Sequence, residues 1–173
     1  MKYYIADTHF GHENIIKLCG RPFADAEEMD RVIIENWNSV VNDNDDVYIV
    51  GDFSHKSEKP VTGYLKQLKG RKHLIAGNHD KIITADPEAS SYFVSISQME
   101  VVRDHGHTIF LCHYPVAEWP GYYDGFYHFF GHIHKTRNEA CMFMEGLEKA
   151  YNVGADLLGF TPRTIDEIIT RNR

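Results

Sequence analysis

Cysteine is scarce in this chain of 173 residues. Cys19, Cys112 and Cys141 are odd in number, widely spaced, and form no C-x-x-C pair. That argues against a disulfide framework and a cysteine-bound zinc knot, and fits free thiols in a reducing compartment. Long apolar runs are missing as well. None approaches the ~20 residues a membrane-spanning helix needs. The N-terminus passes from Met1 through Ile5 straight to Asp7 with no signal-peptide architecture, so the cytoplasm is the expected location. Positive charge is also short. The formal net charge is -7, and no Lys/Arg stripe is present, which disfavours long nucleic acid and anionic membrane as partners. Without repeats, low-complexity stretches or long linkers, one domain over residues 1–173 is expected.

What the chain does have is enough apolar content, 43%, for a sizeable core, and an excess of histidine, eleven residues. Histidine at that level favours metal binding. Tyr3 to Ala6, Asp46 to Val50 and Lys72 to Ala76 read as strands. Helices are expected between them, from His12 to Leu18, Asp25 to Val41 and Pro60 to Leu68. Asp25 with Glu28 has the spacing of a capping box. Met29, Val32, Ile33, Trp37, Val40 and Val41 share the buried face of that helix. Alternation of strand and helix suggests parallel pairing. Further on, Tyr92 to Arg103 and His107 to His113 read as strands around an Asp104-His105-Gly106 hairpin turn. Tyr127 to Phe130, Cys141 to Met144 and Lys149 to Asn152 complete the strands. A last helix is expected to open at Thr161-Pro162, with Pro at its first position. The class is α/β, with strands in two blocks.

Five strand ends carry metal-ligand chemistry. They are Asp7-Thr8-His9, Gly51-Asp52, Gly77-Asn78-His79-Asp80, His113, and Gly131-His132-Ile133-His134. Each alone could be a turn, a cap or a core histidine. Together they offer carboxylate, imidazole and amide donors that suit Zn, Mn, Fe, Co or Ni and lack the all-oxygen character calcium prefers. Loops at the same strand ends would meet on one sheet edge. Two metals sharing one carboxylate there would suit hydrolysis of a phosphate ester.

The order D-x-H, G-D, G-N-H-D, H, G-H-x-H resembles that of the calcineurin-like metallophosphoesterases. The closest look is to the compact single-domain type found in prokaryotes and phages. The continuation Phe10-Gly11-His12-Glu13-Asn14-Ile15-Ile16 and the late Asn152-Val153-Gly154-Ala155-Asp156 extend the likeness over nearly the whole chain. The resemblance implies a four-layer αββα sandwich of two mixed β-sheets flanked by helices. It implies two divalent ions (Mn, Zn, Fe or Ni), one held by Asp7, His9, Asp52 and His134, the other by Asp52, Asn78, His113 and His132. A metal-activated hydroxide would attack the phosphorus. His79 would act as general acid, oriented by Asp80. Cys112 stands where the family often has glycine.

Around this centre, Arg21 could clamp a phosphate or serve as a helix-end charge. His12 could touch substrate or cap its helix, and His55 could support the ligands. Trp119 and Tyr122, in the aromatic segment 114–130, could form a stacking wall, or the segment could bury itself on the core or on a dimer partner. The expected partner is a small phosphate ester, nucleotide-derived ones included, with diesters favoured over monoesters. The alternative is a non-catalytic metal-binding interaction module on the same fold.

Overall fold

The computed structural model describes residues 1–171, so the last two positions of the expected 1–173 domain lie outside the described residues. The strands are β1 (Lys2–Ile5), β2 (Asp46–Ile49), β3 (Arg71–Ile75), β4 (Phe93–Ser97), β5 (Met99–Asp104), β6 (His107–Cys112), β7 (Tyr127–Phe130) and β8 (Ala150–Asn152). The helices are α1 (Glu13–Cys19), α2 (Ala26–Val40), α3 (Val61–Leu65), α4 (Lys81–Thr84), α5 (Pro87–Ser90), α6 (Glu139–Glu145), α7 (Ala155–Leu158) and α8 (Ile165–Arg171). They build two four-stranded sheets in the orders β1-β2-β3-β4 and β5-β6-β7-β8. The first is parallel throughout its named strands. The second is mixed, with β5 antiparallel to β6 and the rest parallel.

Alternation along the strands produces the layers. Tyr3, Ile5, Val47 and Ile49 face Met29, Ile33 and Trp37 of α2 in one core. Tyr4, Tyr48, Ile109, Leu111 and Phe129 fill the space between the sheets, closed by Leu158, Ile165 and Ile168. α2 starts as its sequence dictates, with Asp25 accepting from the Glu28 N–H. The Glu28 carboxylate reaches back one residue further than the capping-box pattern, to the Ala24 N–H.

Four expectations need correction. The segment Tyr92 to Arg103 is two strands, because the chain leaves the first sheet at Gln98 and enters the second. Cys141 to Met144 is helical. Asn138 caps that helix by accepting from the Cys141 N–H, a local signal that outweighs the apolar run. The last helix begins at Ile165, beyond Pro162. Arg163 bridges to Tyr4, and Thr164 and Glu167 form the reciprocal capping box instead. The short helices α4, α5 and α7 fall in stretches read as connections. The hairpin turn is as expected, with His105 and Gly106 both at positive φ, 45° and 80°, the requirement of a tight turn with right-handed strand twist. Among the described residues no helix is long and apolar enough to cross a membrane.

Candidate metal centre

Parallel strands carry their C-terminal ends to one edge, and the two sheets join there. Ala6 bridges to Gly154, the Asp7 N–H donates to Gly51 O, and the Gly131 N–H donates to His113 O. All five ligand motifs therefore meet. Asp7, His9 and His134 gather into one group of donors, and Asp52, His113 and His132 into another. One oxygen links the two groups. Asp52 Oδ2 lies 3.7 Å from His9 Nε2 and 3.5 Å from His113 Nε2. Asn78 Oδ1 sits 3.2 Å from His113 Nε2 and 3.0 Å from His132 Nδ1.

The backbone is strained to achieve this. Asp7, His9, Asp52, His132 and His134 have φ between 48° and 68°, at roughly 1–2 kcal/mol each for L-residues. Such strain clusters where function over-determines a conformation. Close approach explains two glycines. A Cβ on Gly51 would fall 2.2 Å from His113 Nδ1, and one on Gly131 would fall 2.7 Å from Asp7 Oδ2.

The donor set fits divalent cations on evidence from the chain itself. Both ring nitrogens of His9 are buried with no hydrogen-bond partner, which is costly unless something else binds there. His113 gives Nδ1 to Val50 O at 2.9 Å, and His134 gives Nδ1 to Asp156 at 3.2 Å. An outer partner on Nδ1 is the usual arrangement of a metal-binding imidazole, and His113 Nε2 faces the Asp52 and Asn78 oxygens.

Burial and charge perturb the titratable donors strongly. Burial raises the Asp7 pKa to about 6. Burial opposes ionisation of Asp52 too, but the His113 hydrogen bond and charge, with the His79 N–H, outweigh it and hold the carboxyl at about 2. Burial pushes His9 down to about 2. At His134 burial also disfavours charge, yet Asp156, Cys19 and Asp7 raise the imidazole to about 10.

The remaining site expectations divide. His79 stands at the centre, its Nε2 3.9 Å from Asp52 Oδ2 and its side chain one third exposed (33%). Asp80 does not bond to the His79 ring. Its oxygens accept from the N–H groups of Asp52, Phe53 and Gly77, at 2.8, 3.0 and 2.8 Å, so it fixes the Asp52 loop. Arg21 is no substrate clamp. Its side chain is fully buried, paired through Nε and Nη2 with Asp156, and donates to the carbonyls of Asp7 and Thr8. His12 and His55 do reach the rim, with rings 5.4 and 6.4 Å from that of His9. His12 makes no side-chain cap for α1. Trp119 and Tyr122 do not. They pack with Phe110 and Cys112 on the outer face of the second sheet, and Trp119 Nε1 donates to Phe126 O. The segment buries itself on the core, because the even residues of β6 leave an apolar face to cover.

Two neighbours were not assigned a role from the sequence. Tyr114 lies edge-on to His113 and His132, at 5.1 and 4.8 Å between rings. Its one signal was adjacency to His113. Asp156 links Arg21 to His134, and its signal was the late motif that contains it. A cavity of about 780 Å³ is lined in part by α6 and β8 and reaches the ligand set only through His134.

No family model matches the sequence. Protein MJ1445 of Methanocaldococcus jannaschii is 34% identical over 169 residues, covering 96% of this chain and 88% of that protein. The gene 66 protein of Mycobacterium phage L5 is 39% identical over 82 residues, 45% of this chain and 39% of that protein. The crystal structure of AQ665 from Aquifex aeolicus, a protein of unknown function, shares the fold with a TM-score of 0.76, at 31% identity over 98% of both chains. With this kinship over nearly its full length, the chain belongs to the family of MJ1445.

Proposed function

We propose that the protein is a phosphoesterase dependent on two divalent cations, acting on phosphodiesters in preference to monoesters. The observation that supports this most is the Asp52 carboxylate, with one oxygen facing imidazoles of both donor groups and His79 beside it. Asp7, His9, Asp52 and His134 would hold one cation, and Asp52, Asn78, His113 and His132 the other. Bound there, the cations supply positive charge for the substrate phosphate and lower the pKa of a water toward ~7.

The chain's own residues do the rest. Asp80 locks the backbone of Asp52 and Gly77, so the shared carboxylate and the Asn78 amide keep their directions. Arg21 and Asp156 fix His134 and the carbonyls of Asp7 and Thr8 as one rigid unit. His79 lies next to the Asp52 carboxylate, has no side-chain hydrogen bond among the described residues, and keeps partial exposure. It holds a proton at Nε2 and delivers it to the leaving oxygen. Tyr114 covers the rings of His113 and His132. The formal charge of -7 does not oppose an anionic substrate, because two cations outweigh the local carboxylates.

The test is turnover of bis(p-nitrophenyl) phosphate against p-nitrophenyl phosphate, with Mn, Zn, Fe or Ni added to the chelated protein. The expected result is metal-dependent hydrolysis with the diester ahead. Equal metal-dependent rates would remove the diester preference. Absence of turnover on both esters would remove the enzyme reading and favour a binding module.

A further inference from the structure

Beyond the donor groups, a histidine-lined pocket continues outward from His79. The His55 ring lies 3.8 Å from that of His79, and the His12 ring lies 4.7 Å from that of His55. Two cavities, of about 410 and 470 Å³, share His55, Lys56 and His79 as walls. None of these three imidazoles makes a side-chain hydrogen bond among the described residues, and His12, only 7% exposed, has a buried Nδ1 without a partner. Buried polar atoms are rarely left so unless a ligand or water completes them.

The local charge is positive. Lys56 and Lys59 line the smaller cavity and form no ion pair among the described residues, and Glu58 is the single carboxylate on its wall. The Lys56 charge acts on both His12 and His55. Lys56 also holds φ at 49°, a conformation costly for a lysine. An acidic protein has here concentrated two lysines and three imidazoles, which outnumber the carboxylates near them, Glu58 on the wall and Asp52 beside His79.

We propose that this pocket is an anion subsite that takes a second phosphate of the substrate, on the leaving-group side of His79. The favoured substrate class is therefore a phosphate ester whose leaving group carries its own phosphate. A chain phosphodiester and a nucleotide with a terminal phosphate share that chemistry. The assignment of the leaving-group side rests on the phosphoesterase reading. Anion binding at the pocket does not.

The first experiment is a titration of the full-length protein with inorganic phosphate, against chloride at matched ionic strength, followed by the imidazole NMR signals of His12 and His55. It is run with and without Zn²⁺. Saturable shifts are expected in both states, with affinity about tenfold weaker in a Lys56→Gln, Lys59→Gln double variant, as for loss of one charge-assisted contact. Shifts that need Zn²⁺ and are equal in the double variant would overturn the subsite, as would no saturable shift at all.

The second experiment compares Mn²⁺-dependent hydrolysis of dTpdT, pdTpdT and dTpdTp. One of the two phosphorylated forms should exceed dTpdT by about tenfold in kcat/KM, and the double variant should lose that preference. Equal values for all three, in an active enzyme, count against the second-phosphate role. Inactivity on all three with phosphate binding intact counts against the phosphoesterase reading and leaves the anion subsite standing.

Discussion

His79 carries the sharpest residue-scale consequence. It touches the shared carboxylate of Asp52 through its own N–H, at 2.9 Å, while its ring points to the open side. His79→Ala should lower kcat by about 10²–10⁴-fold, the usual contribution of a positioned acid, while bound metal stays near two per chain. Parallel metal analysis and single-turnover rates check this, and undiminished turnover would remove His79 from the chemistry. Asp156 has the complementary role. Because it orients His134 and neutralises Arg21, Asp156→Asn should weaken retention of one cation by about 10–100-fold. Competition with a chelator measures this, and unchanged retention would mean that the Arg21–Asp156–His134 chain is only structural. The ligand candidates are legible in the sequence because all but His113 sit beside a glycine or within two residues of a second donor, and His113 is legible from its place in the motif order. The partners of Asp80 and Arg21 are not. Sequence adjacency placed Asp80 beside His79, but the turn sends its carboxylate to the Asp52 loop.

Among the elements, β7 shows how one strand serves two faces. Phe129 fills the inter-sheet core, while His128 turns outward under Trp119. His128 is fully buried, gives Nδ1 to Phe110 O, and accepts from the Val116 N–H at Nε2. Burial lowers its pKa from 6.5 to about 4. The folded state thus binds fewer protons there than the unfolded chain. Stability from this group is complete above about 6.5 and is lost as pH falls toward about 4, by roughly 3 kcal/mol at the limit. Urea unfolding across that interval should show the decline. A His128→Gln variant, less stable at pH 7, should lose less on acidification. An equal decline in both would assign it to other groups. Element types were mostly legible where periodicity was long, as in α2. They were lost where capping decided, as at Asn138, and where one apolar run served two sheets across Gln98. Propensity does not report which sheet a strand will join.

At the scale of the whole molecule, the parallel strands of both sheets deliver every donor group to a single edge. Five donors in left-handed conformations and an unpartnered buried His9 are the cost of that edge, and bound cations would offset it. Beyond Tyr114 the aromatic segment takes no part, since Val116, Trp119, Tyr122 and Phe126 cover the outer face of the second sheet. The open side of the edge is lined by histidine and lysine instead. The most direct test is a metal titration of chelated protein, with bound Mn²⁺ and hydrolysis of bis(p-nitrophenyl) phosphate measured on the same samples. The account predicts saturation near two ions per chain, with turnover appearing as the second ion binds. Two ions bound without turnover, or turnover unaffected by complete metal removal, would contradict it.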